Sequence, residues 1–158
     1  MILVGVRAMA RRRALATFIG LSFLLGLGLA LWLGPVPTAH HATRFEAEKV
    51  AVANLLQPGE REHIRIESKL VRQWQLTLLS PNDGGNVWSN DLLWLVLIPG
   101  GHFAASGPCC VPPPTFSWNI AVINDNPGGT GLDGVIAGPH GDGPLWYRFL
   151  PDLAGAGQ

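Results

Sequence analysis

Two cysteines stand side by side in "SGPCCVPPPTFSW", residues 106–118, and they are the only thiols of the chain. Consecutive trans-linked residues place their Cα atoms about 3.8 Å apart, below the roughly 4.4–6.8 Å of an ordinary disulfide. Cys109 and Cys110 therefore have three states open: a strained vicinal bond, bonds to another chain, or free buried thiols. The last asks least of the backbone. As metal ligands they lack the Cys-x-x-Cys spacing with which two thiolates hold one ion. His102 and His140 are the late histidines that could complete a Cys/His set with them, and also the only late bases for a catalytic thiol. His40 and His41 read as solvated linker residues.

Hard oxygen ligands gather in "NDNPGGTGLDG", residues 124–134, where Asp125, Asn126 and Asp133 resemble an acidic, glycine-rich calcium loop. Glycines replace expected ligands and no glutamate closes the loop, so an Asx- and Gly-rich turn accounts for it better. Calcium here and a transition metal at the thiols are the two ions the residue types allow; no cofactor is expected. The pair in "HGDG", 140–143, has no Gly-x-Ser-x-Gly elbow to serve, and neither a phosphate loop nor a dinucleotide fingerprint occurs. The chemistry-bearing residues thus point away from catalysis.

Charge is distributed unevenly. The formal net charge is zero, yet residues 1–34 carry Arg7, Arg11, Arg12 and Arg13 and no acid, while residues 73–158 carry Arg148 and six aspartates only. The basic end is local, which excludes a nucleic-acid binder. A charge-poor, tryptophan-rich half suggests a surface covered by a partner. The stiff loop Cys109, Cys110, Pro112, Pro113 and Pro114, with Trp118 and Trp146, is the expected contact.

The elements that must position these residues follow from periodicity. Thr43 and Glu46 have capping-box spacing, and Pro58-Gly59 stops the run, which predicts a helix over 44–56 with Phe45, Val52, Leu55 and Leu56 as its apolar side. It packs on the domain or extends as a stalk. From residue 61 the period becomes two. Ile64 and Ile66, then Trp74, Leu76 and Leu78, alternate with polar residues, and "SPNDGGN" at 80–86 predicts a hairpin from 72–79 into the next run. That run, "LLWLVLI" at 92–98, is apolar on both faces and reads as a central strand. "TFSWNIAVI" at 115–123 places Phe116, Trp118, Ile120 and Val122 on one face. Val135 and Ile136 form a short strand, "LWYRFL" at 145–150 a last one, and 154–158 a frayed tail. The sum is a mainly-β domain over 61–153, a small β-sandwich or partial barrel.

Residues 14–34 contain no charge. As helix they span roughly 30 Å, the thickness of a bilayer core, with the arginines of 1–13 on the cytoplasmic side. Alanines are misplaced for signal cleavage, which favours an uncleaved anchor over a cleaved signal peptide. Ser22, Gly26, Ala30 and Gly34 share one helix face, as helix-packing residues do. The expected architecture is therefore a single N-terminal transmembrane helix at 14–34, a linker and short helix at 35–60, and an extracytoplasmic, periplasmic or cell-surface, mainly-β domain. The expected role is a non-catalytic accessory or assembly subunit of a membrane complex, or one that self-associates. The alternative is an extracytoplasmic ligand- or metal-ion-binding module using loops 102–110 and 124–142.

Overall fold

The computed structural model describes residues 17–18, 20–32, 41–56, 64–82, 87–104, 115–127 and 129–155; of residues 100–104, 126 and 129 it describes the backbone only. Met1–Val36 and Pro37–Gln158 form two compact units. In the first, residues 17–18 and 20–32 are helical. A helix over 20–32 rises about 20 Å, against roughly 30 Å of bilayer core. Among the described residues, no helix is long and apolar enough to cross a membrane. This corrects the expected single-pass anchor at 14–34. It also corrects the membrane localisation, with its cytoplasmic N-terminus and extracytoplasmic domain, which rested on that anchor.

The second unit is built on one four-stranded sheet. Its strands are β1 (Glu67–Arg72), β2 (Leu92–Ala104), β3 (Thr115–Asn126) and β4 (Gly129–Gly138). They run in the order β1-β2-β3-β4, each antiparallel to the next. Two helices, α1 (Arg44–Leu55) and α2 (Gln73–Leu79), and a 3₁₀ helix (Leu145–Phe149) cover it. The expected β-sandwich or partial barrel is thus corrected to a single sheet covered by helices. A sandwich needs a second sheet, and the two segments that would have supplied strands, 72–79 and 145–150, are helical instead.

β2 is central, and its doubly apolar run explains why. Side chains alternate across a strand. Leu70, Trp94, Val96, Ile98, Ala121 and Ile123 face one side, while Val71, Leu93, Leu95, Leu97, Ile120, Val122 and Ile136 face the other. The register Leu70↔Trp94↔Ile123 aligns the first set across three strands, and Leu97↔Ile120↔Ile136 aligns the second. Leu93 to Ile98 are all buried.

On the first face lies α1. Its capping box forms as the sequence predicts: Thr43 Oγ1 accepts the Glu46 N–H at 3.2 Å, and Glu46 Oε2 accepts the Thr43 N–H at 2.7 Å. The buried stripe is Ala47 and Ala51, flanked by Val50 and Leu55. Alanine lets the helix backbone approach the sheet closely. Phe45, expected inward, is 64% exposed.

The other face carries α2 and the 3₁₀ helix. The alternation at 73–79 suits a strand, but the N–H groups of Gln73 and Trp74 donate to the carbonyls of Asp91 (2.9 Å) and Ser89 (3.1 Å). The loop before β2 so satisfies donors that a helix leaves unpaired in its first turn. Thr77 Oγ1 also donates to the Val87 carbonyl at 2.8 Å. At 145–149, Pro144 supplies the carbonyl that closes the first 3₁₀ turn with the Tyr147 N–H at 3.2 Å, and Leu150 ends the element.

The two sheet edges are finished differently. The chain past Leu150 returns along β1. The Leu153 N–H donates to the Leu70 carbonyl at 2.8 Å, and the Leu70 N–H donates to Asp152 Oδ1 at 3.2 Å. Leu153 and Ala154 are buried in the first core, so the expected tail begins later than residue 154. β4 is the other edge. Its register shifts opposite Val122 and Ile123, leaving Asp133 as the extra residue, exposed and charged. A bulge and a charge both disfavour pairing with a stray strand.

Candidate functional site

The ladder between β1 and β2 stops at Glu67↔Leu97. Two residues further along β2 stands Pro99, which has no N–H to give to a partner strand. Residues 64–66 continue without strand pairing, and a cleft of about 520 Å³ opens there. Ile64, Leu97 and Pro99 supply its apolar wall. Arg65, Glu67, Asp142 and Arg148 supply its charges, and Gly143, Pro144 and Tyr147 complete it. Gly143 has φ 150°, and a Cβ there would stand 2.9 Å from Leu97 Cδ2. The turn can pass this close to β2 only as glycine.

Tyr147 fixes the back of the cleft. It is the only tyrosine of the sequence. Its hydroxyl donates to the carbonyls of Glu67 (3.0 Å) and Leu95 (3.3 Å), both on the sheet. Burial, and then the negative charge of Glu67, push the phenol well above its ordinary range, so it stays protonated and donating. Lys69 Nζ lies 4.9 Å from the Tyr147 ring centroid and donates to the carbonyls of Tyr147 (2.9 Å) and Leu150 (2.8 Å). Burial holds that ammonium below the usual lysine value, against the opposing pull of Asp152 and Glu67. Glu67 pairs with Arg65 at 3.1 Å. Among the described residues that line the cleft there is no serine, cysteine or histidine.

A second polar cluster ties the first face together. Arg44 pairs with Asp152 at 2.6 Å, donates to the Ser68 carbonyl at 2.7 Å, and stands 5.6 Å from the Trp94 ring centroid. Ser68 Oγ donates to Glu48 Oε1 at 2.6 Å. Each group here has a structural partner.

The residues singled out by sequence fall in several places. Asp125 is buried, and its two oxygens accept the His41 N–H at 3.0 Å each, while Oδ1 also accepts the Ala42 N–H. Its carboxylate anchors the chain entering α1. Asp133 is exposed at the bulge, and Asn126 ends β3. His140 is exposed in the turn after β4, and its carbonyl accepts Trp118 Nε1–H at 2.9 Å. His102 falls in β2. Among the described residues, no group of three or more His, Cys, Asp or Glu side chains could hold a metal ion. Trp118 is a core residue, packed over Gly138, where a Cβ would meet its ring at 2.1 Å. Trp146 is half-buried against the same core, its ring 6.3 Å from that of Tyr147. Ser22, Gly26 and Ala30 are exposed on the helical stretch 20–32. Gly34, Cys109, Cys110, Pro112, Pro113 and Pro114 lie outside the described residues.

Sequence reasoning missed the cleft. One signal was available: the sole tyrosine stands beside Arg148, the sole cation after Arg72. The strand pattern of 145–150 conceals it.

No protein-family model, curated protein or solved structure matches this chain.

Proposed function

We propose that this chain is a non-catalytic binding protein, an accessory or assembly subunit that docks onto a partner protein through the outer surface of α2, the loop before β2 and the 3₁₀ helix. The observation that carries this reading is a set of large apolar side chains turned to solvent on those elements: Leu78 (52% exposed), Val87 (52%), Trp88 (66%), Leu145 (69%) and Phe149 (63%). Buried cores need none of them outward. Single exposed apolar residues are ordinary on any protein, but here two of the five are aromatic, and the half of the chain that carries them is poor in charge. Aromatic anchors of this kind carry much of the energy of protein interfaces. On this reading no cofactor takes part.

The test is recovery of partners from native extract by the tagged full chain, compared with the Trp88→Ser/Phe149→Ser double variant. Loss of a specific partner is expected with the variant, at a folding stability within about 1 kcal/mol of wild type, since surface changes away from packed or bonded groups cost about 0.5 kcal/mol or less each. Equal recovery by both proteins, or no specific partner for wild type, overturns the reading.

A further inference from the structure

We propose that the cleft between residues 64–67, the far part of β2 and the 142–148 segment binds a short zwitterionic peptide with apolar side chains, its carboxylate on Arg148 and its terminal ammonium on Asp142. This site uses none of the exposed apolar residues assigned to partner docking.

The four charged groups of the cleft divide into two kinds. Arg65 and Glu67 neutralise each other at 3.1 Å. Arg148 and Asp142 line the same cleft, and neither forms an ion pair among the described residues. Among the described residues the cleft therefore presents one cation and one anion without an ion-pair partner, beside an apolar wall of Ile64, Leu97 and Pro99. A ligand that meets all three features carries one charge of each sign and an apolar body. A ligand of one sign would leave one charge of the cleft unanswered. The volume, about 520 Å³, lies within the usual range for small-molecule sites. Guanidinium suits a carboxylate, which it can hold through two parallel hydrogen bonds. The cationic end is a primary ammonium and not a quaternary one. Quaternary ammonium is held by aromatic faces, and the one aromatic among the described residues that line the cleft, Tyr147, is 2% exposed with Lys69 Nζ already 4.9 Å from its ring centroid. A primary ammonium instead brings N–H donors, which a carboxylate such as Asp142 accepts. A free peptide supplies both ends.

Isothermal titration of the full chain with trileucine tests this. Saturable binding is expected, with N-acetyl trileucine and trileucine amide each weaker by about tenfold or more, the loss of one charge-assisted contact. Arg148→Gln should abolish the difference between trileucine and its amide, and Asp142→Asn the difference between trileucine and its N-acetyl form. Both side chains are exposed, and among the described residues neither takes part in a hydrogen bond of the core; the blocked peptides probe the wild-type protein without any substitution. No saturable binding, binding indifferent to blocked ends, or binding of phosphocholine in place of trileucine would overturn the proposal.

Discussion

On one face of the sheet a single 12-residue helix lies across Leu70, Trp94 and Ile123. Both ends of the domain are tied there, the entry by Asp125 to His41 and Ala42, the exit by Arg44 to Asp152. On the opposite face a 7-residue helix and a 5-residue 3₁₀ helix share the cover. The long helix rises about 18 Å, and each short one about 10 Å. Leu78, Leu145 and Phe149 on these short elements are turned to solvent, and the 3₁₀ helix itself forms one wall of the cleft. The first face holds the fold closed with polar partners for its charged groups. The second buries its core beneath an outer surface that carries large exposed apolar side chains.

The comparison breaks most readily at Trp94. Its side chain is fully buried under α1, its Nε1–H donates to the Ala42 carbonyl at 3.1 Å, and the Arg44 guanidinium stands over its ring. Trp94→Ala should cost about 3–5 kcal/mol in denaturant unfolding, the usual range for deleting a large buried aromatic. It should also loosen the C-terminal segment, because Arg44 loses the ring against which it reaches Asp152. A cost under about 1 kcal/mol would show that this face does not hold the fold closed.

Next in size is Gly138→Ala on the opposite face. The added Cβ would come 2.1 Å from Trp118 Cζ2 and 2.4 Å from Cε2, ring atoms that cannot yield separately. The indole must turn, and its 2.9 Å bond to the His140 carbonyl is lost with it. Overpacking of this kind costs about 1–3 kcal/mol. A changed near-ultraviolet circular dichroism signal should accompany the loss. If Gly138→Ala proved costlier than Trp94→Ala, the order of the two faces would be reversed.

How far the sequence reveals this division depends on which forces act locally. The capping box at Thr43 and Glu46, the doubly apolar run of β2, and the shared face of Trp118, Ile120 and Val122 are local patterns, and each appears where its period places it. Periodicity misleads at 73–79, where carbonyls of Ser89 and Asp91, 15 and 18 residues beyond the N–H groups they accept, complete a helix end that no local pattern announces. It misleads again at 145–150, where Pro144 and a buried tyrosine turn an apolar run into a 3₁₀ helix. Asp125 has the residue type of a calcium ligand, and nothing in 124–134 reveals that backbone N–H groups 83 and 84 residues away take its oxygens. The cleft depends on Pro99, Gly143 and Tyr147 meeting across the fold, and tertiary contacts of that kind leave no spacing to read. The same limit applies at the N-terminus. An uncharged run of bilayer length predicts a spanning helix, while the helical stretch described there, 20–32, is too short to be one.

The smallest of these effects belongs to the first face, at Thr43. Thr43→Ala removes the oxygen that accepts the Glu46 N–H, which costs about 1 kcal/mol for a helix cap of this kind. It also changes how the fold responds to acid. The Thr43 backbone N–H, and then its hydroxyl, hold the Glu46 carboxyl below its ordinary value of 4.5. A carboxylate whose acidity is raised by folding stabilises the fold above its unfolded pKa, and that contribution fades as pH falls through the folded one. Wild-type protein should therefore lose stability from Glu46 as pH drops below about 4.5. Without the threonine hydroxyl part of that loss disappears, while the backbone N–H retains the rest. Thermal midpoints of the two proteins should thus draw closer together in acid. Parallel curves from pH 7 to pH 3 would show that the cap and the carboxylate act independently, and that α1 is held by Ala47, Ala51 and the Arg44 cluster alone.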